Sequence, residues 1–201
     1  MIQNEVIKAI LERRSIRGYT DQPLTDEQLD TVLECAVWAP SGMNQQTSIY
    51  VAVRDKELLK QLAEDDKKFG SFGPPPGMKM PDMKPEDMPG GVPGGPGGPM
   101  GERKLGYGAP CVILVFNKAD SRHQIDPALG EENICIAAHS IGLGTCILGG
   151  MGAFDDEANA KLWMERLGVP EGYKHITSIA IGYPAKPGDP KPRKDGRKII
   201  K

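Results

Sequence analysis

The sequence is poor in the residues and patterns that would settle a function at once. It has four cysteines in 201 residues, Cys35, Cys111, Cys135 and Cys146, and they lie far apart. No Cys-x-x-Cys pair occurs, which disfavours a zinc or iron–sulfur centre and leads us to expect buried free thiols. No apolar run approaches the roughly 20 residues needed to cross a bilayer. Gln3, Asn4 and Glu5 stand where a secretory signal would place basic and apolar residues, so the cytoplasm is the expected compartment. A net charge of −2 gives no electrostatic reason to expect nucleic acid or an anionic membrane as partner. His123, His139 and His175 stand singly, without the spacing of a metal site or a triad, and read as ordinary surface or core residues. There is no Gly-x-x-x-x-Gly-Lys phosphate loop and no Gly-x-Ser-x-Gly elbow, and the acidic residues form no glycosidase or two-metal pattern. Catalysis by protein side chains is therefore poorly supported. Chemistry carried by a bound cofactor remains open.

What is present is a series of periodic segments. Ile2, Val6, Ile7, Ile10 and Leu11 recur at helical spacing, with Gln3, Glu5, Lys8 and Glu12 on the opposite side. Thr25-Asp26-Glu27-Gln28 matches a capping box and opens a second helix over about 26–38, which Ala39-Pro40-Ser41-Gly42 ends. Residues 49–53 read as a strand, and Lys56 to Asp65 as a helix with Leu58, Leu59 and Leu62 on one face. Cys111 to Phe116 is a continuous apolar run suited to the centre of a sheet. A buried helix is expected over 127–142, closed by Gly142, and a short strand over 145–148 ends in Gly149-Gly150. Asp155 or Asp156 caps a helix bearing Leu162, Trp163 and Leu167, and a last strand covers 175–181. The order predicts an α+β or α/β chain with helices covering a sheet. The length suits one domain, over 1–201, burying roughly 70% of the unfolded chain's surface.

Two segments stand outside this pattern. Residues 70–100 hold nine prolines, nine glycines and five methionines, too little apolar substance to offset the entropy of ordering them. An insertion at about 70–101 is expected there. Met78, Met80, Met83, Met88 and Met100 suggest a soft metal such as Cu(I), but their irregular spacing and the lack of nearby Cys or His argue against it. The second segment is a proline- and lysine-rich tail over about 184–201.

Four stretches would suit a nucleotide-like cofactor. Arg13-Arg14-Ser15-Ile16-Arg17 offers guanidinium and hydroxyl donors to a phosphate, although alone it also reads as a solvated helix end. Pro40-Ser41-Gly42-Met43-Asn44-Gln45-Gln46 offers small residues and amides. Gly149-Gly150 leaves backbone N–H groups uncovered at a strand end. Lys191-Pro192-Arg193-Lys194 adds cations from the tail.

Together and in this order the stretches resemble the FMN-dependent nitroreductase family. The resemblance covers nearly the whole chain outside residues 70–101. It is supported by Ala109-Pro110, by Gly142-Leu143-Gly144-Thr145, and by Ile181-Gly182-Tyr183-Pro184. It implies an α+β fold with a central, mostly antiparallel sheet flanked by helices, assembled as an intertwined homodimer with two FMN sites at the interface. By the same resemblance Arg13, Arg14 and Ser15 hold the phosphate and ribityl chain, and Arg17 lies beside the pyrimidine edge of the flavin. Pro40, Ser41, Gly42 and Asn44 reach across from the other subunit. Leu148, Gly149 and Gly150 face N5 and O4, and Lys191 and Arg193 return to the phosphate. No metal is implied. The implied activity is ping-pong hydride transfer from NADH or NADPH, by way of FMN, to an electron-poor acceptor such as a nitroaromatic or quinone. Other FMN chemistry on the same fold (dehalogenation, dehydrogenation, flavin fragmentation) and a non-enzymatic FMN redox module are the alternatives. The 70–101 segment departs from the family pattern and offers no counterpart to its flavin-edge asparagine.

Overall fold

A computed structural model of the chain describes residues 2–69 and 104–198. The expected insertion at about 70–101 thus lies outside the described residues. Five helices and four strands alternate as α1 (Glu5–Glu12), α2 (Asp26–Val37), β1 (Ser48–Val53), α3 (Lys56–Phe69), β2 (Cys111–Lys118), α4 (Asp126–Ser140), β3 (Gly144–Gly149), α5 (Glu157–Arg166) and β4 (Tyr173–Gly182). The strands form one sheet in the order β1-β2-β4-β3, with every neighbouring pair antiparallel. The expected α+β architecture with a mostly antiparallel sheet is therefore present.

The sheet is central because β2 is apolar on both faces. Cys111, Ile113 and Val115 pack against Leu29, Val32 and Ala36 of α2 and Ile134 and Ala138 of α4. Val112, Leu114 and Phe116 turn the other way, onto Leu62 of α3 and Trp163 of α5. Local chemistry sets the helix ends. Thr25 and Gln28 bond reciprocally at 3.0 and 3.1 Å to start α2, and Asp156 accepts from the Asn159 N–H at 2.9 Å to start α5. After α4, Gly142 takes φ +83° and the Leu143 N–H returns to the Ala138 carbonyl at 2.8 Å. The four cysteines are free thiols, three buried and Cys35 half-buried.

Two helices differ from their periodicity. The stripe on α1 does not enter this chain's core: Val6, Ile10 and Leu11 are exposed and only Ala9 is buried. On α5, Trp163 is buried but Leu162 faces outward. Periodicity identifies a face that favours apolar contact; it does not say whether the same chain supplies it. Among the described residues no helix is long and apolar enough to cross a membrane.

Candidate functional site

The basic stretch leaves α1 as extended chain. Arg13 has φ −57° and ψ 145° while its N–H still reaches the Ala9 carbonyl. Ser15 then forms a parallel bridge with Thr145, and the Ile16 N–H donates to the Thr145 carbonyl at 2.8 Å. Ile16 is buried while Ser15 and Arg17 are exposed, the alternation of a strand. The approach is close because residue 144 lacks a side chain. A Cβ there would stand 2.6 Å from Ile16 and 2.8 Å from Pro184.

Arg13 and Arg14 are already partnered within the chain. Arg13 Nε donates to Glu132 Oε1 of α4 at 3.0 Å. Arg14 Nη1 donates to the carbonyls of Leu11 and Arg13, each at 2.7 Å, and so satisfies orphan acceptors at the end of α1. The Arg17 guanidinium stands 6.0 Å from the centre of the Tyr107 ring. Beneath this layer Tyr19 Oη donates to the Ile16 carbonyl at 2.9 Å, and burial pushes its phenol far above the ordinary range.

The tail returns to the same place. The Thr20 N–H bonds the Tyr183 carbonyl at 2.9 Å, the Ala185 N–H bonds the Gly18 carbonyl at 3.0 Å, and Gly188 packs on the Arg14 side chain with no room for a Cβ. Lys191 and Arg193 follow shortly after, exposed and without an ion pair among the described residues.

At the other end of β3, four residues or about 13 Å beyond Thr145, Gly149 turns with φ +75°. Among the described residues, chain neighbours aside, no atom lies within 4 Å of where a Cβ on Gly149 or Gly150 would stand, so this backbone is open on that side. Leu148, just before it, is half-buried against the core. The chain beyond is fixed to α3. The Gly152 N–H donates to Asp66 Oδ1 at 2.6 Å and Trp163 Nε1 to Asp65 Oδ2 at 2.7 Å.

Pro40, Ser41, Gly42 and Asn44 lie elsewhere. Their loop precedes β1, whose first residue, Ser48, is opposite Asn117, itself opposite Lys174; Thr145 is opposite Ile181 on the far side of the sheet. Three strand spacings across and seven residues along place the two regions about 25 Å apart. One chain does not bring them together. The loop is also unusual in itself. Met43, Asn44 and Gln46 all have φ near +50° (54°, 54° and 49°), a conformation that costs roughly 1–3 kcal/mol for each non-glycine residue. Met43 is 87% exposed and the neighbouring Trp38 78% exposed. The loop is held by Asp126 Oδ2, which accepts the Gly42 N–H at 2.9 Å, and by the His123 ring, which lies where a Cβ on Gly42 would be.

Sequence reasoning missed Glu132, Asp126 and His123. Asp126 carries a signal, an acidic residue just before Pro127 at the start of a helix. His123 carries none; it is half-buried, with its ring packed on the loop at Gly42.

Thus β3 joins a basic stretch at its start to open backbone at its end, and a strained loop projects from the opposite corner of the sheet. Comparison with known proteins gives the family. Residues 10–183 match the sequence model of the Nitroreductase family. A relative from Bacillus subtilis, an FMN reductase whose name gives NAD(P)H as donor, is 28% identical over 94% of this chain and 70% of its own length. Among solved structures, a nitroreductase with bound FMN from Desulfitobacterium hafniense superposes with TM-score 0.76 at 29% identity, covering 100% of both chains. Another with bound FMN, from Bacteroides fragilis, gives TM-score 0.75 at 27% identity over 99% of this chain and 100% of its own. By sequence and fold, the chain belongs to the nitroreductase family.

Proposed function

We propose that the protein is an FMN-dependent oxidoreductase that takes hydride from NADH or NADPH and reduces an electron-poor acceptor, such as a nitroaromatic or quinone. The observation that carries this reading is the Ser15–Thr145 junction, which sets guanidinium groups at one end of β3 and open backbone at the other. These residues fit FMN. Arg13, Arg14 and Ser15 offer charged and hydroxyl donors to a phosphate, and Lys191 and Arg193 extend the positive field from the tail. Each charge-assisted bond contributes roughly 1.5–3 kcal/mol. Leu148, Gly149 and Gly150, about 13 Å further along the strand, would present their backbone to the ring. Arg17, exposed on the same extended segment, would lend a positive charge to the bound ring and so favour its anionic reduced form. FMN, when bound, supplies the hydride and electron transfer. No side chain is required here as acid or base, and donor and acceptor take turns at one open face in ping-pong order.

The working unit in this reading is a homodimer. Ile2, Val6, Ile10 and Leu11 near and on α1, Val37 and Trp38 at the end of α2, and Ile125 and Leu129 at the start of α4 are all exposed. So many exposed large apolar residues favour burial against a second copy. A two-fold partner would also carry the Ser41–Gln46 loop to the flavin site that its own chain cannot reach.

The test is spectroscopic. Purified protein should be yellow or become so on loading with FMN, and anaerobic NADH or NADPH should bleach the flavin band rapidly. Protein that cannot be loaded would refute FMN binding. Loaded protein that neither nucleotide bleaches would refute the reductase.

A further inference from the structure

We infer that Asp126 and His123 are positioning residues for the Ser41–Gln46 loop, through which each protomer sets the flavin site of its partner; this rests on the dimeric reading above. The loop holds itself poorly. Its internal bonds are Ser41 Oγ accepting the Gln46 N–H at 3.0 Å, the Asn44 N–H to the Ser41 carbonyl at 2.9 Å, the Gln45 N–H to the Gly42 carbonyl at 3.2 Å, and contacts between the Asn44 and Gln46 groups. Among the described residues, its one hydrogen bond to the rest of the fold is the Gly42 N–H to Asp126. Left-handed Met43, Asn44 and Gln46 would relax if that tie were cut.

The tie is built to hold. Asp126 is buried at the first turn of α4, where the helix dipole favours its negative charge. It faces a backbone donor rather than a cation. The His123 ring fills the space beside Gly42, and its backbone is tied down, the N–H donating to Ser121 Oγ at 3.1 Å and the carbonyl accepting from Asn117 Nδ2 at 3.5 Å. The result is an outward projection of Met43 and Asn44 that makes no contact with the basic stretch of its own chain. A strained, externally aimed loop clamped by a buried carboxylate is suited to a site completed elsewhere.

The experiment has two arms. In the first, FMN affinity of the apoprotein and thermal midpoint are measured for the wild type, D126A and D126N. D126A should bind FMN at least about tenfold more weakly, and D126N, which keeps an acceptor oxygen, within about threefold of the wild type. In the second, a mixed dimer is isolated through two tags, one chain carrying D126A and the other R13A/R14A. If the loop acts across the interface, both defects fall in one site, and the other binds one FMN per dimer at wild-type affinity. Wild-type affinity in D126A, or a mixed dimer with no intact site, would overturn the inference. Should D126A not fold, G42A, which drives a methyl into the His123 ring, takes its place with the same expectation. A wild type that binds no FMN refutes the proposed function itself, which is a distinct result.

Discussion

Replacing Glu131 with Gln isolates one of two buried groups whose effects on stability oppose each other. Glu131 is 6% exposed on α4, and no Lys or Arg among the described residues pairs with it. Burial raises its carboxyl from 4.5 to about 7. Between those values the unfolded chain gives up the proton and the folded chain keeps it, so stability falls as pH rises. At about 1.4 kcal/mol per pH unit the loss reaches at most about 3 kcal/mol, or about 2 after allowing for partial solvation of the carboxyl. His175 has the reverse sign. Burial lowers it from 6.5 to about 4, against a hydrogen bond that its ring N–H donates to the Thr177 backbone, and its ring stacks on Phe154 with centroids 4.3 Å apart. Between 4 and 6.5 only the unfolded chain binds that proton, so stability rises with pH by a similar amount. In the wild type the two nearly cancel from about pH 4.5 to 6.5. E131Q, which copies the neutral folded form, should gain about 2–3 kcal/mol relative to the wild type between pH 4.5 and 7.5 and reveal the rising limb. H175Q, which retains a donor near Ser178 Oγ, should reveal the falling limb. Urea unfolding at fixed protein and FMN concentration, repeated from pH 4 to 8, reads both. A difference between E131Q and the wild type that does not change with pH would refute the reasoning.

Three further outcomes follow from the same contacts. R13A/R14A should weaken FMN binding by more than about tenfold while costing only about 1 kcal/mol of stability for the lost carbonyl bonds at the end of α1; equal FMN affinity by titration would show that the anchor lies elsewhere. G144A places a methyl 2.6 Å from Ile16 and 2.8 Å from Pro184, and should cost about 1–3 kcal/mol, seen as a lowered thermal midpoint. W163F removes the donor to Asp65 from a buried ring, and should destabilise by about 1–3 kcal/mol in urea unfolding; an unchanged midpoint would mean that the bond contributes nothing.

The fold was legible wherever a signal was local. The capping box of α2, the apolar run of β2 and the glycine closing α4 each state their role within a few residues, and each forms as expected. The basic stretch and Gly149-Gly150 were legible as candidates for the same reason. What could not be read is whatever depends on distant partners. Glu132 meets Arg13 across 119 positions, and Asp126 meets Gly42 across 84; neither spacing follows from a helical or strand period. The fate of the α1 stripe is of this kind too, because its period does not say that Val6, Ile10 and Leu11 stay exposed.

The arginine stretch shows why two opposed readings of one motif can both hold. As a helix end, Arg14 bonds the Leu11 and Arg13 carbonyls, and Arg13 leans on Glu132. That is the ordinary role of cations after a helix. Yet those bonds use only part of each guanidinium, which has five N–H donors in a rigid fork. Arg13 commits Nε and Arg14 commits Nη1, and the remaining donors stay available to an anion. A side chain already held in place loses less conformational freedom when a phosphate arrives, a saving of about 0.5–1.5 kcal/mol for each immobilised side chain. In the proposed anchor role the helix-end contacts would pre-order the guanidinium groups, and removing Glu132 should weaken FMN binding although Glu132 and the phosphate carry charge of the same sign. If E132Q instead tightened binding, charge repulsion would outweigh orientation, and the pairing with Arg13 would be a competitor of the phosphate.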